Sequence, residues 1–124
     1  DNDFEMLYAT LKAQETIKFW STSFLRGVTL DNSVIIIDEM QNLNFHELDS
    51  IITRVGENTR IVFCGDAMQS DLTKTNEKNG IHDFMRILEL MPDDFAMIEM
   101  NIDDICRSGL VRNYLLAKHA QGSM

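Results

Sequence analysis

Val34-Ile35-Ile36-Ile37-Asp38-Glu39-Met40-Gln41-Asn42 is the stretch from which the fold is read. Four branched aliphatics without polar alternation predict a strand buried on both faces, the habit of a central parallel strand covered by helices. The two acids then stand at its carboxyl end. In open α/β sheets ligands bind at that edge, where a carboxylate is free to hold a hydrated metal or accept a proton. Apolar strands also end in acids simply because they exit into solvent, so this stretch alone carries both readings. A second strand weighs between them. Arg60-Ile61-Val62-Phe63-Cys64 runs into Gly65-Asp66-Ala67-Met68-Gln69-Ser70-Asp71-Leu72. Two buried strands thus bring Asp38/Glu39 and Asp66/Gln69 to one sheet edge, and the pair is far more specific than either half.

The connection between the two strands is a well-marked helix. Asn44 predicts its cap and Glu47 completes a capping-box pattern; Phe45, Leu48, Ile51, Ile52 and Val55 form one apolar stripe, and Gly56 stops it. His46 falls on the polar side of the first turn, where a lone histidine is structural or solvated. Upstream, Phe4, Leu7, Tyr8 and Leu11 have helical spacing over Phe4 to Ala13, with Asp3 as cap, and Ile17-Lys18-Phe19-Trp20 predicts a short strand. Downstream, Ser70 to Asn79 is polar and aperiodic, long for a βα connection and so a candidate functional loop. Gly80 then opens a helix with Ile81, Phe84, Met85 and Leu88 inward. Ala96 to Met100 predicts a third parallel strand, and Leu110, Val111, Tyr114 and Leu115 a final helix.

Bulk properties bound the rest. At 124 residues, 44% hydrophobic and 25% charged, the chain predicts one packed domain that buries about two thirds of its unfolded surface. No apolar run reaches the roughly 20 residues of a membrane span, and Asp1-Asn2-Asp3 is unlike a signal peptide, which predicts a soluble, cytoplasmic protein with no membrane partner. The net charge is -9, with acids spread evenly. Such a surface repels phosphate backbones at long range and argues against strong nucleic-acid binding by this chain alone. Arg107, Arg112 and Lys118 on the last helix are the best basic candidates, though charges spaced this way usually mark a solvated face. Cys64 and Cys106 lack metal-ligand spacing and predict free, buried thiols.

Asp38-Glu39-Met40-Gln41-Asn42 has the form of a Walker B strand end. With Gly65-Asp66-x-x-Gln69-x-Asp71-Leu72, Asp104-Ile105-Cys106-Arg107-Ser108-Gly109-Leu110-Val111 and the earlier Ser23-Phe24-Leu25-Arg26-Gly27-x-Thr29-Leu30, it resembles the carboxyl-terminal half of a PhoH-like P-loop ATPase. That family is related to the superfamily-one helicases, and many phages carry a copy. The resemblance runs from roughly Ile17 to Leu116. It implies an α/β fold, a parallel sheet flanked by helices, with strands near Ile17 to Trp20, Val34 to Asp38, Ile61 to Cys64 and Ala96 to Met100. It also implies an ATP-hydrolysing, nucleotide-binding function with Mg²⁺ and ATP as cofactors, and RNA as a nucleic-acid partner by analogy.

Roles follow from the matched positions as what the resemblance implies. Asp38 holds Mg²⁺ through water, and Glu39 orients the attacking water. Gln69 reports the γ-phosphate to the following loop, and Arg107 stabilises transition-state charge. Asp66 anchors the turn that presents Gln69, and Gln41 bridges the two constellations. Arg26 is either a phosphate or subunit contact or an ordinary surface arginine.

One departure is large. The family's first motif, Gly-x-x-x-x-Gly-Lys-Thr, is absent, and nothing here supplies a glycine-rich turn and a lysine before a helix. The chain therefore reads as a partial P-loop fold without its first strand, with little or no turnover alone, awaiting the missing half or a partner chain. In the family's sheet order that strand lies between those at Ile61 and Ala96, so the two are expected to pair with each other or with a second copy, making a homo-oligomer. The rival reading is a non-catalytic interaction module that binds a partner or completes another chain's nucleotide site.

Overall fold

Two parallel strands carry the fold, β1 over Val34–Ile37 and β2 over Arg60–Phe63, paired in register from Val34↔Arg60 to Ile37↔Phe63. The computed structural model describes residues 2–22, 27–66 and 75–122, with the backbone alone for 75–79. Around the strands the chain forms α1 (Asn2–Ala13), α2 (Phe45–Ile52), α3 (Thr75–Glu89) and α4 (Gly109–Ala120), with 3-10 turns at Met40–Asn42 and Ile102–Asp104. A helical crossover joining adjacent parallel strands is the βαβ arrangement that the alternating pattern predicts.

The chain divides into two compact units. One holds Asp1–Ile37 and His46–Phe63, the other Asp38–Phe45 and Cys64–Met124. In the first unit the register is set before the strands begin. The Glu57 N–H donates to Asp31 Oδ1 at 2.7 Å, Thr59 Oγ1 donates to the Leu30 carbonyl at 2.9 Å, and the Asn58 amide donates to Asn32 Oδ1 at 3.1 Å. A one-residue slip would break this lattice and turn every strand side chain over, so these short polar residues fix which face is inward. Among the described residues of this unit, Ile37, Leu48 and Ile51 are buried.

In the second unit Ile81, Phe84 and Leu88 are buried at helical spacing along α3, joined by Met40. Phe45 and Phe84 meet edge to face with ring centres 6.4 Å apart, a favoured aromatic geometry. Gly80 lies inside α3 rather than opening it, and a Cβ there would sit 3.1 Å from Phe45 Cβ, so the missing side chain lets the helix backbone approach the chain at Phe45.

Several expectations are corrected. β1 is not buried on both faces: Val34, Ile36 and, opposite Ile36, Val62 are exposed, while Ile35 and Ile37 turn inward or partly inward. Ile17 to Trp20 and Ala96 to Met100 are not strands, and among the described residues the Ile61 strand pairs with β1 alone. Extended, β-prone segments become strands only when a neighbour accepts their backbone hydrogen bonds. Ile98 and Met100 are instead largely exposed. Val55 belongs not to α2 but to a parallel bridge with Leu30. α1 begins at Asn2, which places Asp3 within it rather than capping it, and neither α1 nor α4 buries a residue. Cys64 and Cys106 are free, as expected, but exposed.

Candidate functional site

Because β1 and β2 are parallel, the chain leaves both at the same edge, β1 into Asp38 and β2 into Cys64. The two exits are then tied together. The Met40 N–H donates to the Cys64 carbonyl at 2.9 Å. Beside it, the Asp66 N–H donates to Gln41 Oε1 at 3.0 Å, and Gln41 Nε2 donates to Glu39 Oε2. Asp38 Oδ1 accepts the Glu39 N–H at 2.9 Å. Asp38, Glu39, Gln41 and Asp66 thus form one hydrogen-bonded constellation.

Its polarity is graded. Asp38 and Glu39 are exposed, Asp66 is half-buried, and Gln41 is only 5% exposed. Two exposed carboxylates, Glu39 held by the buried Gln41 amide and Asp38 by the Glu39 N–H, present charge to solvent. Close approach of the exits depends on Gly65, where a Cβ would lie 2.5 Å from Gln41 Oε1 and 2.6 Å from Met40 Cγ. No side chain fits between those loops.

The turn after β1 is also strained. Glu39 adopts the left-handed conformation, φ 55° and ψ 45°, immediately before the 3-10 turn. For a residue with a Cβ this costs roughly 1 kcal/mol, and such outliers gather at functional sites. The expected consequence is an inverted substitution order. Elsewhere alanine is more stable than glycine, but here Glu39→Gly should exceed Glu39→Ala by about 1 kcal/mol in urea denaturation. Both variants lose the carboxylate equally, so the comparison isolates the backbone, and an alanine variant as stable as the glycine one would show that the turn is unstrained.

Among the other residues read from the sequence, Arg107 stands exposed between the Ile102–Asp104 turn and α4. That turn closes on itself: Asn101 Oδ1 accepts the Asp103 N–H at 2.8 Å, and Asp104 Oδ2 accepts the Asn101 N–H at 2.7 Å. Arg26 and Gln69 lie outside the described residues. His46 is exposed at the start of α2. The sequence offered no signal for the left-handed Glu39, since glutamate is not a residue that favours that conformation.

Among the described residues no group of three or more acidic, histidine or cysteine side chains has the geometry to enclose a metal. A single exposed carboxylate, Asp38, nevertheless suits Mg²⁺, which keeps most of its water shell and takes the rest of its ligands from substrate phosphates. A cavity of about 350 Å³ opens at the other end of the strands, lined by Asn32, Ser33, Val34, Asn58, Thr59 and Arg60. It contains none of the acids. Among the described residues no helix is long and apolar enough to cross a membrane.

Comparison with known proteins gives a consistent match. The family model described as PhoH-like protein matches residues 4–118. A PhoH-like protein of Bacillus subtilis is 32% identical over 99 residues, covering 80% of this chain and 30% of its own length. One from Mycobacterium leprae is 31% identical over 105 residues, covering 85% of the chain and 30% of its own. Protein PhoH of Escherichia coli is 32% identical over 97 residues, 77% of this chain and 26% of that protein. The chain therefore spans about 30% of the length of the curated relatives it matches. No solved structure matches it.

Proposed function

The chain belongs to the PhoH-like protein family, and from that premise we propose that it carries the metal- and water-handling part of an ATP-hydrolysing site. The observation that supports this best is the constellation itself. Two parallel strands run into acid-bearing loops that one buried amide and one backbone hydrogen bond hold together, which exceeds what a strand exit into solvent requires.

In this reading Asp38 holds the waters of Mg²⁺, an ion that would neutralise the triphosphate and polarise its γ-phosphoryl group. Glu39, the next residue along the chain, orients the attacking water and accepts its proton. Asp66 fixes the turn that leads to Gln69, which senses the γ-phosphate, and Gln41 joins the two loops. Arg107 stabilises charge in the transition state, and Arg26 contacts phosphate or a neighbouring subunit. The phosphate cradle itself, a glycine-rich turn with a lysine, comes from outside these 124 residues.

The test is ATP turnover by a protein that joins this chain to a Gly-x-x-x-x-Gly-Lys-Thr segment. Hydrolysis that appears with Mg²⁺ and vanishes with EDTA is the expected result. Turnover that ignores the metal, or none at all, contradicts the reading.

A second reading, a non-catalytic module that docks on a partner, is favoured by a separate observation. Val34, Ile36 and Val62 leave an apolar sheet face uncovered, and surfaces of that kind are normally buried in parallel sheets. In that case Asp38→Asn and Glu39→Gln would leave the protein's behaviour unchanged.

A further inference from the structure

We propose that Gln41 is the positioning residue of this site, holding the Glu39 carboxylate in its working orientation while locking the Gly65-Asp66 turn in place. The inference rests on the hydrolytic reading above and assigns within it the part that no strand-end carboxylate can play for itself.

Three observations converge on it. Gln41 is the buried polar side chain among the described residues, and a buried carboxamide is costly unless both ends are matched. Here the two ends are matched in opposite senses. Oε1 accepts a hydrogen bond from the Asp66 N–H, and Nε2 donates one to Glu39 Oε2. Turning the amide over would set oxygen against a carboxylate and N–H against N–H, losing both bonds, so the network admits one orientation. Finally, the left-handed Glu39 backbone folds its carboxylate back toward the residue two places on, and the bare Cα of Gly65 leaves the space the amide fills.

The functional consequence concerns geometry. An exposed glutamate samples several rotamers, and a general base must lie within hydrogen-bond reach of its water. With Oε2 tied to Gln41, the carboxylate is narrowed to one arrangement and Oε1 is left to meet the water. Removing a support of this kind typically lowers activity about 10- to 100-fold.

Gln41→Glu separates positioning from mere structure. The variant keeps an oxygen to accept the Asp66 N–H but loses the donor and sets a second carboxylate against Glu39. In the nucleotide-hydrolysing protein, turnover at neutral pH should fall about 10- to 100-fold, with KM within about twofold. Wild-type turnover in Gln41→Glu, or a loss carried by KM with turnover unchanged, overturns the proposal.

Glu39→Gln measured alongside separates the two levels. If Glu39→Gln is inactive and Gln41→Glu is not, only the positioning role falls. If Glu39→Gln turns over normally, the hydrolytic reading falls and this role with it. Should Gln41→Glu fail to fold, the side-chain amide signals of Gln41 in the otherwise intact protein supply the readout. They should shift when Glu39→Gln replaces the carboxylate, and an unmoved signal rejects the pairing.

Discussion

Glu39→Gln, in a protein that joins this chain to a phosphate-binding turn, is expected to lower ATP turnover by roughly 10² to 10⁴, the usual worth of a positioned general base. The substitution keeps size and shape and can still take a hydrogen bond from Gln41, so the loss would come from chemistry rather than packing. Glu39 is exposed, and its removal uncovers no core; thermal stability should hardly change. Single-turnover hydrolysis is the measurement, because it separates the chemical step from product release. Turnover within a fewfold of the parent would reduce Glu39 to a residue that ends a strand.

Arg107→Ala carries the second large effect. A guanidinium that meets developing charge on a transferred phosphoryl group can be worth roughly 10³ or more in rate. A surface ion pair is worth only about 0 to 1 kcal/mol, and those magnitudes separate the two readings of Arg107. The Ile102–Asp104 turn before it satisfies its own backbone through Asn101 and Asp104, so the arginine has little structural work there. We therefore expect turnover to drop by about three orders of magnitude with an unchanged melting temperature. If Arg107 reaches across a subunit boundary, mixing Arg107→Ala with Glu39→Gln protein should restore part of the activity at hybrid interfaces. Unaltered turnover would remove Arg107 from the site.

What the sequence disclosed follows from how locally each feature is determined. β1, β2 and α2 were legible because short apolar runs and an apolar stripe behind Asn44 and Glu47 specify them without outside help. Their pairing was legible too, since a helical crossover leaves adjacent strands parallel. Ile17 to Trp20 and Ala96 to Met100 have the same composition as strands, yet they remain unpaired. Composition reports what a segment tolerates, whereas a strand needs a neighbour's backbone, and among the described residues β2 pairs only with β1. The same lack of a covering layer leaves Val34 and Ile36 exposed where a central strand would bury them.

The site shows a similar division. Strand ends and acids pointed to Asp38, Glu39 and Asp66, and the offset of Gln41 allowed a bridge to be imagined. Its burial, the sense of its two hydrogen bonds and the left-handed turn at Glu39 depend on the approach of two loops 25 residues apart. No pattern within either loop encodes that approach, except Gly65, whose missing side chain becomes meaningful only once Met40 and Gln41 are seen against it.

The central claim, that Asp38 and Glu39 divide metal holding from water handling, is met most directly by equilibrium titration with a Mg²⁺-bound, non-hydrolysable ATP analogue. Asp38→Asn should weaken binding roughly 10-fold or more, and removing Mg²⁺ should erase the difference from the parent. Glu39→Gln should bind within about twofold of the parent, because its role begins only after binding. Equal, mild effects from the two substitutions, or a loss confined to Glu39→Gln, would contradict the account.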